Sequence, residues 1–207
     1  MILLMAQQRI GIFSGTFDPV HKGHIGFALE AIRQASLDEV YFLVEARPRR
    51  KSGVTHVAHR LAMLKLATKP YPKLKVLELP DGQFSVAKTL PRLKQRFAGS
   101  TLVFIAGSDM LKHMPRWPLV RRLFEDMELI VAVRANESSQ TIMQQMAILP
   151  EAASKLQIIK STVPHLSSSQ LREALLKGQK ATVLPSTAEY IKQHWLYVSV
   201  PPARYSH

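Results

Sequence analysis

Residues 9 to 24 read Arg-Ile-Gly-Ile-Phe-Ser-Gly-Thr-Phe-Asp-Pro-Val-His-Lys-Gly-His. The apolar run at 9–14 is short and ends in Gly-Thr, which predicts a buried strand. After it, apolar side chains recur at the spacing of one helix face and predict a helix over residues 22–34: Ile25, Ala28, Leu29 and Ile32. The stretch therefore joins the end of a strand to the start of a helix through a loop that holds one proline and two histidines.

The rest of the chain repeats this alternation. Apolar runs predict further strands over 39–44, 74–79, 101–106, 127–133 and 156–159, and helical spacing predicts helices over 57–68, 84–97, 168–177 and 186–195. Pro91 implies a kink or a late start in the third helix, and a weak helix follows the polar stretch 136–141. Strands that alternate with helices form a parallel sheet covered on both faces. We therefore predict an α/β fold with an open doubly wound parallel sheet, which binds ligands outside the carboxyl ends of its strands.

Length and composition limit the class of protein. The 207 residues suit a single domain with a lead-in at 1–8, a small C-terminal helical part at 165–197 and a tail at 198–207. The sequence has no cysteine, which excludes disulfides, thiolate nucleophiles and cysteine-ligated zinc and is consistent with a cytoplasmic protein. The apolar stretch 1–5 is too short for a signal peptide, and no stretch approaches the roughly 20 apolar residues of a membrane span. We expect no membrane partner.

The charge balance is strongly basic. Lys and Arg number 28 against 15 for Asp and Glu, which gives a formal net charge of +13. Such an excess favours polyanionic partners, namely nucleotides, pyrophosphate or nucleic acid. A solvated basic surface is the alternative interpretation.

Two histidines follow the first strand. His21 and His24 are three residues apart, so both rings can point to one spot at the start of the helix. A helix start favours an anion because its N–H groups and its dipole face outward, and Gly15 allows a ligand to approach the backbone. The pair suits a polyphosphate, although it could also ligate a metal or cap the helix. The sequence contains no Asp/Glu/His cluster that would complete a metal site.

A second candidate anion site lies at residues 165–172, His-Leu-Ser-Ser-Ser-Gln-Leu-Arg. Ser167 and Gln170 have the spacing of a capping box. The serine hydroxyls, the first-turn N–H groups and the Arg172 guanidinium could together bind phosphate. The alternative is an ordinary helix cap followed by a surface arginine.

Both stretches resemble signatures of one family. Residues 15–24 resemble the Thr/His-x-Gly-His signature of nucleotidyltransferases, and residues 166–172 are similar to its partner, Ile-Ser-Ser-Thr-x-Leu/Ile-Arg. Residues 107–117 and 184–197 resemble the Gly-Ala-Asp…Trp segment and the closing helix of bacterial nicotinate-mononucleotide adenylyltransferases. The resemblance covers residues 9–197 and implies a Rossmann-like nucleotidyltransferase fold. It also implies adenylyl transfer from ATP to nicotinate or nicotinamide mononucleotide in NAD biosynthesis, with release of pyrophosphate.

The resemblance also implies a role for each matching residue. His21 and His24 would hold the α- and β-phosphates of ATP, and Arg172 with Ser168 and Ser169 would hold the leaving pyrophosphate. Gly15, Thr16 and Phe17 would lie along the nucleotide. Gly107 of the ATP site and Asp109 of the acceptor site would lie near ribose or base. Trp117 would stack on the pyridine ring, and Arg134 would face the phosphates that the two substrates share. Mg²⁺ would arrive with ATP. Trp117 lies between two prolines and could instead pack a loop, and the basic run 47–51 could be a substrate lid or a solvated loop.

Two segments depart from the family pattern. Where the family has Ser-Tyr-Thr-x-Asp-Thr-Leu, residues 84–90 read Phe-Ser-Val-Ala-Lys-Thr-Leu, so Lys88 takes the place of the aspartate. The usual Pro-Pro-His-Lys loop reads Pro-Arg-Arg-Lys at 48–51. Because these segments help to recognise the acceptor base in the family, they leave nicotinate, nicotinamide and other phosphorylated acceptors open.

Two other functions suit the same fold. One is a binding module for nucleotides or nucleic acid without turnover, which the net charge and the altered segments favour. The other is cytidylyl transfer to an alcohol phosphate, against which the Trp117 segment argues. The two intact signatures favour an adenylyltransferase, so we expect ATP and a pyridine mononucleotide as partners rather than nucleic acid.

Overall fold

The structure follows the predicted order of strands and helices. A computed structural model describes residues 7–49, 51–78, 80–133, 139–147, 149, 155–160 and 167–199. The strands are β1 (Arg9–Gly15), β2 (Glu39–Val44), β3 (Leu74–Leu77), β4 (Thr101–Gly107), β5 (Glu128–Val133) and β6 (Leu156–Lys160). The helices are α1 (Lys22–Gln34), α2 (Val57–Thr68), α3 (Thr89–Arg96), α4 (Ser108–Leu111), α5 (Val120–Asp126), α6 (Ser139–Ala147), α7 (Ser168–Leu176) and α8 (Pro185–Gln193), with a 3₁₀ turn at Met114–Arg116.

The six strands form one parallel sheet in the order β3-β2-β1-β4-β5-β6. From β1 the chain winds outward to β3 at one edge, returns to β4 beside β1, and winds outward to β6 at the other edge. The prediction of an α/β fold with an open doubly wound parallel sheet is confirmed. The reversal of strand order lies between β1 and β4, and ligands of such sheets bind outside the carboxyl ends of the strands at that place.

The sheet is buried on both faces because successive side chains of a strand point to opposite sides. Ile12 of β1 packs in one apolar cluster with Leu90 of α3 and Leu123 of α5. Its neighbour Phe13 packs in the other cluster, with Ala28 of α1. Helices on both faces hold the two central strands rigidly and so fix the position of the loops that follow them.

Two segments differ from the predicted helices. Helix α3 begins at Thr89 rather than at 84, and Pro91 lies in its first turn, where a missing N–H removes no intrahelical bond. Residues 108–126, for which no helix was predicted, contain α4, the 3₁₀ turn and α5. These pieces are short, and Pro115 within the 3₁₀ turn and Pro118 before α5 interrupt the stretch, so no apolar period long enough to be recognised develops. Among the described helices, none is long and apolar enough to cross a membrane.

Candidate active site

The candidate site lies where β1 and β4 end, at the reversal of strand order. β1 ends at Gly15 and β4 at Gly107. A Cβ on Gly15 would lie 2.9 Å from the ring of Phe17, and one on Gly107 would lie 2.6 Å from Asp109 Oδ1. Both strands therefore end in glycine because the following loop folds back closely over the backbone.

Phe17 packs under this loop. Its φ of 50° turns the ring inward, and it is buried against Phe13 and Phe42 at centroid distances of 5.5 and 5.3 Å. The predicted place of Phe17 along the nucleotide can therefore be filled only by its backbone, since the side chain belongs to the core.

His21 and His24 share one face at the start of α1, as predicted. Their rings stack at a centroid distance of 3.7 Å, with 25° between the planes. The backbone N–H of His21 donates to His24 Nδ1 at 3.3 Å, so His24 also caps the helix. Because Nδ1 accepts a hydrogen bond, the proton of the neutral ring lies on Nε2. His24 can therefore serve as both a cap and a hydrogen-bond donor.

His24 is kept neutral by its surroundings. Burial lowers the pKa of His24 well below its usual value, and the neighbouring His21 and Lys51 lower it further. Charging the ring in a desolvated place beside other cations is unfavourable. Near neutral pH His24 therefore offers an N–H donor without adding a full positive charge.

The second signature lies against the first. In α7, Ser168 Oγ donates to the carbonyl of Pro19 at 3.1 Å. Arg172 Nη1 donates to the carbonyl of Asp18 at 2.6 Å, and its Nη2 approaches Ser169 Oγ at 3.4 Å. Two stretches about 150 residues apart in sequence thus form one site, and Arg172 is not an unattached surface arginine. The prediction of a capping box at Ser167 is wrong, because its side chain makes no capping hydrogen bond.

Asp18 joins the two signatures to the rest of the fold. Its side chain is 1% exposed. The hydroxyl of Tyr197 donates to Oδ1 at 2.5 Å, the N–H of Thr55 donates to Oδ2 at 3.2 Å, and Arg172 Nη1 lies 3.8 Å from Oδ2. Burial and the hydrogen bond to Asp18 raise the pKa of Tyr197, so Tyr197 stays a donor. No role for Asp18 was predicted, although Asp18 and Tyr197 both lie in family-like segments.

Arg60 is a second structurally important residue for which no role was predicted. It is fully buried in α2 and donates to four backbone carbonyls: Thr16, Glu45, Ala46 and Thr55. These carbonyls belong to the loops that follow β1 and β2 and to the segment before α2. The sequence did contain a signal that could have identified Arg60: it is a basic residue on the same helix face as the apolar Leu64 and Ala67. Arg60 fixes the two loops relative to each other and thereby shapes the site.

A cavity of ≈ 460 Å³ lies at the end of β1, beside the loop that leads to the two histidines. Four predicted site residues line it: Gly15, Thr16, Asp109 and Trp117. The half-buried Trp117 ring packs near Phe84 and Phe104, at centroid distances of 6.1 and 6.0 Å. Trp117 therefore packs against the core and also forms a wall of the cavity, so its two proposed roles are compatible.

The basic loop after β2 borders the same cavity. Pro48, Arg49 and Lys51 line it, whereas Arg47 does not. Lys51 Nζ donates to Thr16 Oγ1 at 3.0 Å, and its charge contributes to lowering the pKa of His24. Lys51 therefore lies between the cavity and the two histidines. The predicted site residues form two adjoining groups, one lining the cavity and one at the starts of α1 and α7.

Two predicted site residues belong to neither group, because the Phe17 ring lies in the core and Gly107 ends β4 without lining the cavity. Arg134 lies outside the described residues. Lys88, which takes the place of the family's aspartate, is exposed at the start of α3 and does not line the cavity. The altered segment 84–90 reaches the cavity through Phe84, since Val86 is buried in the core.

Comparisons with known proteins agree with this architecture. The cytidylyltransferase-like family model matches residues 12–174. A nicotinate-nucleotide adenylyltransferase of Bacillus subtilis (strain 168) is 33% identical over 202 residues, which is 93% of this chain and 100% of the relative. Among solved structures, a Plasmodium falciparum nicotinic acid mononucleotide adenylyltransferase complexed with NaAD superposes with a TM-score of 0.73 at 22% identity. The same enzyme complexed with APC superposes with a TM-score of 0.71 at 21% identity. Each of these two comparisons covers 92% of this chain and 98% of the Plasmodium falciparum chain. These two structures share the fold.

Proposed function

Because this chain belongs to the cytidylyltransferase-like family and, within it, to the nicotinate-nucleotide adenylyltransferases, we propose that it transfers the adenylyl group of ATP to nicotinate mononucleotide. The reaction forms a dinucleotide in NAD biosynthesis and releases pyrophosphate. The observation that carries the proposal is the contact between the two signatures, in which Arg172 binds the Asp18 carbonyl at 2.6 Å beside the paired histidines.

The chemistry is a direct displacement. An oxygen of the acceptor 5′-phosphate forms a bond to the α-phosphorus of ATP. The bond from that phosphorus to the oxygen bridging to the β-phosphate breaks, and pyrophosphate leaves with the electron pair. The chain has no cysteine that could act as a covalent nucleophile. Because the displacement is direct and forms no covalent enzyme intermediate, catalysis rests on alignment of the two substrates and on stabilisation of the phosphate charge.

The residues at the helix starts suit that task. His21 and His24 contact the α- and β-phosphates, and the Nε2–H of His24 donates to an oxygen whose charge increases in the transition state. Arg172 binds the leaving pyrophosphate, with Ser168 and Ser169 beside it. The positions of these groups support this assignment of roles, because α1 follows the loop after β1 and α7 begins against the same loop.

The cavity suits the acceptor. Its walls combine the Trp117, Phe84 and Phe104 rings with the polar groups of Thr16 and Asp109. An aromatic wall stacks on a pyridine ring, and Asp109 can accept hydrogen bonds from ribose hydroxyls. In this arrangement Gly107, which ends β4, lies on the ATP side near the ribose or base.

Mg²⁺ accompanies ATP in this proposal. In the part of the chain that the structure describes, no group of three or more His, Cys, Asp or Glu side chains could hold a metal ion. The described residues therefore fit an ion that is bound through the phosphate oxygens of ATP and water rather than by a cage of protein ligands. The ion would neutralise part of the triphosphate charge.

A pyrophosphate-release screen tests the function. ATP and CTP are each offered with nicotinate mononucleotide, nicotinamide mononucleotide and pantetheine phosphate, and we expect the highest kcat/KM for ATP with nicotinate mononucleotide. Release only with CTP, or only with pantetheine phosphate, would contradict the proposal. ATP binding without pyrophosphate from any pair would indicate a nucleotide-binding module instead.

A further inference from the structure

The wall of the acceptor cavity contains an arginine that lies in one of the altered segments. Among the described residues, three cationic side chains line the cavity, Arg49, Lys51 and Arg116, together with the carboxylates of Glu45 and Asp109. The acid and the amide form of the pyridine ring differ by one negative charge. Recognition of the acid therefore requires a donor, preferably a cation, placed where the ring lies.

The altered segment 84–90 does not supply that group. Of its residues, Phe84 alone lines the cavity. Both backbone groups of Phe84 are already bonded, because its N–H donates to Glu45 Oε1 at 3.1 Å and its carbonyl accepts from Arg49 Nη2 at 3.2 Å. Lys88 is exposed at the start of α3 and outside the cavity lining, so its charge cannot contact a ring inside.

Arg49 is placed by this bond to Phe84. The single hydrogen bond, which is its only one to the described residues, uses one of the five N–H donors of the guanidinium. The planar fork can bind both oxygens of a carboxylate at once. An arginine already held against the cavity wall loses less conformational freedom on binding than an unattached one.

The other two cations fit the carboxylate less well. Lys51 is bonded to Thr16 Oγ1 and contributes to the charge around His24, which places it toward the phosphates. Arg116, at the end of the 3₁₀ turn, is exposed like Arg49, but the described residues offer its guanidinium no hydrogen bond, whereas Arg49 donates to Phe84. Glu45 would repel a carboxylate, but its Oε1 already accepts from Phe84 and from Ser14 Oγ at 3.4 Å.

We propose that Arg49 is the specificity-determining residue that binds the pyridine carboxylate of the acceptor and so selects the acid over the amide. This inference rests on the proposed function. It assigns to a residue of the 48–51 loop the recognition that the changed residues 84–90 do not supply.

The test compares kcat/KM for nicotinate and nicotinamide mononucleotide in wild type and Arg49→Gln. In Arg49→Gln we expect kcat/KM for the acid to fall by about 10- to 100-fold, which corresponds to the loss of one hydrogen-bonded charge pair. The same variant should keep kcat/KM for the amide within about twofold of wild type. Arg49→Lys should recover part of the preference for the acid. Arg47→Gln is the matched control, because it removes the same charge from the same loop at a residue outside the cavity lining, and its acid-to-amide ratio should equal that of wild type.

Three results would overturn the role of Arg49. These are an equal loss for both acceptors in Arg49→Gln, a selective loss in Arg116→Gln but not in Arg49→Gln, and a wild-type preference for the amide. If wild type releases no pyrophosphate with either acceptor, the proposed function fails, and titration calorimetry of the two mononucleotides then judges Arg49 directly. Tighter binding of the acid that disappears in Arg49→Gln would support its role, and equal or absent binding of both would overturn it.

Discussion

Replacing Tyr197 with phenylalanine tests whether Asp18 holds the C-terminal segment against the loop that follows β1. The change removes one hydroxyl, which donates to Asp18 Oδ1 at 2.5 Å. Asp18 is 1% exposed, so water cannot replace the lost donor. A hydrogen bond to a charged group contributes about 1.5–3 kcal/mol. Each kcal/mol lowers the Tm of a chain of this length by about 2–4 °C, so we expect a decrease of about 3–12 °C.

The same change should weaken ATP binding. The Asp18 carbonyl accepts from Arg172, so a loop that is held less firmly positions the guanidinium less well. Thermal unfolding followed by circular dichroism measures the stability, and the pyrophosphate assay gives KM for ATP. Tyr190→Phe is the matched control, because its hydroxyl lies 3.0 Å from His59 Nδ1 on α2. Loss of this hydrogen bond between neutral groups should lower the free energy of unfolding by about 0.5–1.5 kcal/mol and leave KM for ATP unchanged.

Two outcomes would refute this account of Asp18. One is a Tm of Tyr197→Phe within about 1 °C of wild type together with an unchanged KM for ATP. The other is a larger loss of stability in Tyr190→Phe than in Tyr197→Phe, since that order would make the charged partner irrelevant.

Three further predictions concern the residues that we propose bind phosphate. His24→Ala should lower kcat by about 10²- to 10³-fold with the fold intact, as expected for loss of one fixed transition-state donor; a variant that keeps more than half of the wild-type kcat would remove His24 from the mechanism. Arg172→Lys should raise KM for ATP and lower kcat, since an ammonium cannot bind two phosphate oxygens in a fixed fork, and unchanged ATP titration and turnover would contradict its role. Because the pKa of His24 is lowered in the folded protein, its contribution to stability is complete above about pH 6.5, the pKa of the unfolded chain, and is lost as the pH falls further. Denaturant unfolding of wild type and His24→Gln between pH 5 and 7 measures this, and equal pH slopes would count against it.

The fold and the two signatures were predictable because they depend on local patterns. A buried strand followed by a helix has a clear apolar period, and the chain alternates the two throughout. The histidine pair was predictable because three-residue spacing on a helix fixes which side chains share a face. The approach of residues 168–172 to the loop after β1 followed from family resemblance, since no local pattern reports a contact across about 150 residues.

What the sequence did not reveal depends on contacts between distant segments. Arg60 reads as one basic residue in a helix until the carbonyls of two loops are brought to its guanidinium. The inward turn of Phe17 depends on a positive φ, which its residue type does not predict. Likewise, Lys88 lies outside the cavity because α3 begins directly after it, at Thr89. Arg49 borders the cavity because it contacts Phe84, 35 residues further along the chain.

The bond between Tyr197 and Asp18 has a consequence for the newly made protein. The two residues are 179 positions apart, and a ribosome adds roughly 5–20 residues each second, so Asp18 waits on the order of 10–40 seconds for its partner. During that interval the nascent chain can pair β1 with β2 but has neither Arg172 nor Tyr197 against the loop. A ligand stabilises only the form that binds it. Under the proposed function, ATP stabilises this protein only after residues 168–197 have left the ribosome, so the earlier steps of folding depend on the sheet and its two apolar clusters.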